Sequence, residues 1–252
     1  MIISKKTDID ALCEGGHLLA TVLKDVVRET KLGVKTKYLD EVAESGIRNI
    51  GGRPSFKNYK THGTKIFYPA SLCVSINDEV VHAIPGDRIL TAGDIVGLDI
   101  GMEYKGFYTD MAVTVGVGAI DKESERLINV TKKSLMIGIA EIRPGARVGD
   151  IGNAIQKYAE GEGFGIVREL VGHGVGLAVH EEPEIPNWGR EGTGHELVEG
   201  MVLAIEPMLT VGSPRVKVSR DGWAWKTQSG NNAAHFEHTI IITKNGAKII
   251  TE

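Results

Sequence analysis

The chain has 252 residues, 25% of them charged, with a net charge of −4 at pH 7, and is long enough to bury a substantial core. That mild negative balance offers no polycationic face for nucleic acid, no run of about 18 apolar residues would span a membrane, and the N-terminal MIISKKTDIDALCEGG holds no stretch of signal-peptide length. Cys13 and Cys73 cannot build a disulfide framework, so the expected compartment is the reducing cytoplasm.

Ile9, Leu12, Leu19, Val22, Leu23, Val26 and Val27 recur at helical spacing, which predicts a helix over 7–32 stopped by Gly33. A second is predicted over 37–47, capped by Thr36, with Leu39, Val42 and Ala43 facing inward. Residues 51–69, rich in glycine, lysine and polar side chains, read as loop, and 71–76 as a short strand. A turn-rich link carrying VVHAIPGD leads to GDIVGLDIGMEYKGFYTDMAVT, Gly93 to Thr114, which reads as a β-hairpin with Tyr104 and Lys105 as its two-residue loop. Folding about that loop sets Asp99 directly opposite Asp110, with Cβ atoms about 4.5–5.5 Å apart. Interior carboxylates that close either share a proton or hold a cation.

The second half begins again with helices, over 122–142 and 148–161, the first stopped by Pro144-Gly145. A strand near 165–170 leads into GHGVGLAVHEEPEIPN, a glycine-punctuated loop or edge segment. An apolar strand over 201–205, a loop through Asp221-Gly222 and a final strand over 236–243 complete the chain.

The two halves repeat one another. VVHAIP at Val80 to Pro85 answers AVHEEP at Ala178 to Pro183; GDIVGLD, ending at Asp99, answers GMVLAIE, ending at Glu206; and Asp110 in YTDMAVTV answers Glu237 in HFEHTIIIT. His82 thus matches His180. The expected architecture is a single α+β domain over 1–252, with pseudo-symmetric halves of about 1–118 and 119–252. Helix-helix-strand units would pair about a pseudo-two-fold axis around a central antiparallel sheet, and the carboxylates would meet there.

Four converging carboxylates carry too much negative charge to stand alone. His173, in GHGVG, has no counterpart in the first half. Four carboxylates and one imidazole suit manganese, iron(II), cobalt or zinc. Two such ions about 3.5–4 Å apart are the arrangement expected of an aminopeptidase or a related hydrolase.

Together, VVHAIPGD, the hairpin with Asp99 and Asp110, VGHGVG, His180 before EEP, AIEPML and FEHTIIIT resemble methionine aminopeptidases over essentially the whole chain. The resemblance implies the pita-bread fold and five metal ligands: Asp99, Asp110, His173, Glu206 and Glu237. The short interval between Glu206 and Glu237 lacks the helical insertion of the type II enzymes and, with no Cys-rich extension, points to the bacterial type I form. By resemblance, Asp110 and Glu237 bridge two divalent ions, Asp99 holds one, and His173 with Glu206 holds the other. Glu206 relays the proton of the attacking water, His180 donates to the carbonyl oxygen, and His82 sits at the scissile nitrogen or second residue. Tyr68, Cys73 and Trp223 match the thioether pocket, where a soft thiol and aromatic walls suit methionine. Substrates would be peptides and nascent chains leaving the ribosome that begin with methionine followed by a small residue, handled by a monomer.

Three departures bear on pocket shape: Ala83 after the first histidine, Val179 before the second, and the loop THGTKIFYP. Xaa-Pro peptidases share the fold but usually carry an N-terminal domain, for which the chain has no room. A binding-only relative would be expected to have lost ligands.

Overall fold

Helices and strands come in two successive sets. In the computed structural model, which describes residues 2–60 and 66–252, the first set is α1 (Lys6–Glu29), α2 (Thr36–Asn49), β1 (Arg53–Pro54), β2 (Leu72–Ile76), β3 (Glu79–Val81), β4 (Ile95–Tyr104) and β5 (Phe107–Gly116). The second opens with α3 (Lys122–Ala140), α4 (Val148–Gly161), β6 (Phe164–Ile166), β7 (Gly172–Gly174), β8 (Glu181–Ile185) and β9 (Val202–Ile205). It continues through β10 (Met208–Val211), β11 (Val216–Val218), β12 (Trp225–Thr227), β13 (Ala233–His235), β14 (Glu237–Thr243) and β15 (Gly246–Ile249). Of the loop THGTKIFYP, residues 61–65 lie outside the described residues.

The main sheet runs β1–β4–β5–β14–β9–β7–β8, with β2 also on β4 and β15 on β14. From its middle outward, β5 and β14 are flanked by β4 and β9, then by β2 and β7, so each half supplies one side of a duplicated antiparallel sheet. This is the duplicated α+β arrangement expected from the repeat, and the pita-bread fold that the resemblance implies.

The helices decide which sheet face is dry. Leu19, Leu23, Val26, Leu39, Ala43 and Ile47 of α1 and α2 pack against Val96, Leu98, Ile100 and Met102 of β4. Leu127, Leu135, Ile139, Ile151 and Ile155 of α3 and α4 pack against Leu203 and Ile205 of β9 and Ile240 and Ile242 of β14. Each of these side chains larger than alanine contributes about 1.5–3 kcal/mol on burial. Because strand side chains alternate, fixing Leu98 and Ile100 on the helices turns Asp99 to the other face. The same alternation turns Asp110 and Glu237 there.

Four local expectations change. The hairpin closes with Tyr104 paired to Phe107, so its loop is Lys105-Gly106, at φ 51° and 86°, and not Tyr104-Lys105. A two-residue turn of this hand needs positive φ at both positions, and glycine meets that need best. The register therefore shifts by two: Asp99 faces Ala112 and Asp110 faces Gly101. The two carboxylates share a face but stand diagonally, at the roughly 7–8 Å of diagonal neighbours. Thr36 is the first residue of α2, not its cap; its hydroxyl instead donates to Gly86 O at 3.0 Å and accepts from Gly86 N at 2.8 Å. Residues 51–69 include the short β1, and β15 follows the strand expected to be last.

Candidate functional site

Register builds the site as a row. Asp99 on β4 and Glu237 on β14 both face Ala112 on β5, whose small side chain leaves the floor between them open. Asp110 stands two residues from Ala112 on the same face. The ladder between β5 and β14 is only two pairs long, and a hydroxyl takes over at either end. Thr239 Oγ1 accepts from Asp110 N at 2.8 Å and donates to Asp110 O at 2.6 Å. Thr114 Oγ1 does the same for His235, accepting from its N at 2.9 Å and donating to its O at 2.8 Å.

His173 enters from β7, squeezed between β8 and β9. The GHG motif is a strand here, and its glycines answer to close approach: a Cβ at Gly172 would stand 2.4 Å from Ala204 O, and one at Gly174 2.3 Å from Glu182 O. Gly172→Ala is therefore expected to lose roughly 1–3 kcal/mol of stability. Urea unfolding checks this, and a midpoint equal to the parent's would refute the close-packing account. Glu206 lies one residue past β9, its Oε1 3.5 Å from His173 Nε2 and its main-chain O accepting from Asn187 Nδ2 at 3.0 Å.

One ligand atom each from Asp110, His173 and Glu237 come within 4.8 Å of one another. Asp99 Oδ1, Asp110 Oδ1 and Glu237 Oε1 are buried without a hydrogen-bond partner. Orphaned carboxylate oxygens in a protein interior are costly unless a cation satisfies them. Burial raises Asp99 to about 6 and Glu206 to about 8. It lifts Asp110 and Glu237 well above the usual carboxylate range, with the neighbouring carboxylates adding to it. Burial lowers His173 to about 3, keeping it neutral. With Nδ1 donating to Gly174 O at 2.9 Å, its Nε2 keeps a free lone pair. Hard oxygens and one neutral imidazole fit a first-row divalent metal.

The two repeat histidines flank this cluster but are held differently. His82 follows β3 at φ 61°, a conformation rare for a side-chain-bearing residue and often found where function requires it. Burial lowers it to about 4. The Ala83 carbonyl after it accepts from Val74 N at 3.0 Å and from Tyr68 Oη at 3.0 Å, so Tyr68 also braces the turn. His180 precedes β8, its ring 4.4 Å from that of His173 and its Nδ1 2.7 Å from Tyr59 Oη.

Tyr68, Cys73 and Trp223 pack together with Phe56, Ala70 and Val179, and Trp223 meets Tyr68 edge-on at 5.1 Å. Cys73 faces Asp99 directly across β2 and β4, which is why this apolar patch abuts the carboxylates. Burial, and next to it Asp99, pushes the Cys73 thiol well up, so it is an uncharged wall. Every site residue named from sequence lines one cavity of about 250 Å³. Phe56 and Tyr59 line it too and were missed, because they sit in a stretch that reads as featureless loop. His235, buried beside Glu206, was also missed, although HFEHT had placed it two residues before a ligand candidate.

A family model described as Metallopeptidase family M24 matches residues 10–244. The chain is 44% identical over 251 residues to a methionine aminopeptidase of Clostridium perfringens, covering 100% of this chain and 98% of the relative. It is 44% identical over 252 residues to methionine aminopeptidase 1 of Bacillus subtilis, covering 100% and 99%. The crystal structure of methionine aminopeptidase from Thermotoga maritima superposes with a TM-score of 0.95 at 41% identity, covering 100% of both chains. An Xaa-Pro dipeptidase from Bacillus anthracis shares the fold, with a TM-score of 0.76 at 21% identity and 62% of that chain covered.

Proposed function

The chain belongs to metallopeptidase family M24, and from that membership we propose a metal-dependent aminopeptidase that hydrolyses the first peptide bond of chains beginning with methionine. The observation that carries the reading is the single cavity in which an apolar, thiol-bearing pocket adjoins buried carboxylates lacking partners.

Asp99, Asp110, His173, Glu206 and Glu237 would hold two divalent ions, from manganese, iron(II), cobalt or zinc. Bound there, the ions would supply Lewis acidity and an activated water. Glu206, on the wall of that cavity, takes the proton of the attacking water as a carboxylate and passes it to the leaving amine. His180 Nδ1 pairs with Tyr59 Oη, and when the hydroxyl is the donor the imidazole proton sits on Nε2, where it can be donated to the carbonyl oxygen as it gains negative charge. His82 lies toward the scissile nitrogen and second residue. Tyr68, Cys73 and Trp223 take the thioether, and burial of the site excludes bulk water. Both cysteines are free thiols, which suits the cytoplasm, where the substrates would be nascent chains met by a monomer.

Among Met-Ala-Ser, Met-Leu-Ser, Leu-Ala-Ser and Ala-Pro, offered to manganese- or cobalt-loaded protein, Met-Ala-Ser is expected to be cleaved fastest. A hydrophobic pocket separates near-isosteres by only about 1–3 kcal/mol, so norleucine should substitute for methionine where lysine does not. Preference for Ala-Pro would overturn this in favour of a proline-directed peptidase.

A further inference from the structure

Among the described residues, His235 is the imidazole buried beside Glu206 to which the reaction above gives no work. It ends β13 and is 2% exposed. Its backbone is fixed twice, by the reciprocal pair of bonds with Thr114 Oγ1 and by the Met208–His235 pairing of β10 with β13. The side chain therefore has little freedom of approach. Its Nε2 lies 3.5 Å from Glu206 Oε2 and is buried without a hydrogen-bond partner. Glu206 Oε1 lies 3.5 Å from His173 Nε2. One carboxylate thus stands between two imidazoles, one facing each oxygen.

We propose that His235 is a positioning residue for Glu206: its Nε2–H engages Oε2, fixing the plane of the carboxylate so that Oε1 is presented on the His173 side. The partnerless nitrogen faces a carboxylate oxygen able to accept from it, and a buried donor left unmade is costly. The inference rests on the reading of Glu206 as metal ligand and proton acceptor. Outer partners that orient a ligating carboxylate typically set metal affinity or activity over a 10–100-fold range.

The test compares His235→Leu, His235→Gln and His235→Asn with the parent. Manganese binding is followed by calorimetry, the cobalt-loaded protein by its visible spectrum, and Met-Ala-Ser hydrolysis by kcat and KM. His235→Leu should bind manganese roughly 10–100-fold more weakly, with an altered cobalt spectrum, lower kcat and unchanged KM. His235→Gln, whose amide reaches Glu206, should recover most of the affinity and spectrum. His235→Asn, a shorter amide, should not, and this pair decides the matter if the leucine variant does not fold. Folded variants with the parent's manganese affinity and cobalt spectrum overturn the proposal, as does a glutamine variant no better than asparagine. A parent that binds no divalent metal overturns the reading of Glu206 itself, and the His235 proposal with it.

Discussion

Glu206→Gln is expected to lower kcat for Met-Ala-Ser by at least about two orders of magnitude, the scale of a lost general base. The substitution keeps the length and shape of the side chain, so its neighbours His173, His235 and Asn187 still pack against it. What disappears is the carboxylate that accepts the proton, since an amide cannot take its place as a base. KM should stay within a few-fold, because the apolar cluster of Tyr68, Cys73 and Trp223 that takes the side chain is unchanged. Metal occupancy must be verified at saturating manganese, since a neutral amide also weakens a ligand. A fully loaded variant with near-parental kcat would place the base elsewhere.

Chelation should both abolish activity and give stability a new pH dependence. Metal that binds only the folded chain stabilises it by about 2.7 kcal/mol at 100 times its Kd. For a chain of this size that is roughly 5–10 °C in Tm, at about 2–4 °C per kcal/mol. The sign of the pH effect follows from the site. Without metal, Asp99 at about 6 and Glu206 at about 8 keep protons that the unfolded chain releases above about 4, so stability falls as pH rises. His82 at about 4 and His173 at about 3 act oppositely, costing stability only as pH falls below about 6.5. Between about pH 6.5 and 8 Asp99 is largely ionised in both states, and the slope comes from Glu206, with Asp110 and Glu237 beside it. Metal displaces those protons, so the Tm gap between manganese-loaded and chelated protein should widen across that window. A gap that is constant from pH 6.5 to 8 would contradict the carboxylate account.

Much of this protein was legible before folding. Helical periodicity located the four helices of the described residues to within a few positions, because amphipathic spacing is a property of the chain itself. The internal repeat matched the Asp99 and Asp110 strands of one half to the Glu206 and Glu237 segments of the other, and in the sheet β4 and β5 are mirrored by β9 and β14. The same repeat pointed to Asp99, Asp110, Glu206 and Glu237 and to the paired His82 and His180, all of which line one cavity. The repeat brought these positions to notice because each carboxylate lies in or at the end of an apolar strand, and an interior charge demands a reason.

The tertiary structure decided what depends on neighbours distant in sequence. Turn choice depended on which residues accept positive φ, so Lys105-Gly106 displaced Tyr104-Lys105 and moved Asp110 from opposite Asp99 to diagonal. Tyr59 gains its meaning only from His180, and His235 only from Glu206 and Thr114. The glycines around His173 look like a turn until Ala204 and Glu182 are seen crowding them. A periodic pattern records which face of an element is apolar, and that much is written locally. Register, rotamer and the partner of each buried polar atom are set by strands and loops brought together from across the chain, and only the packed fold specifies them.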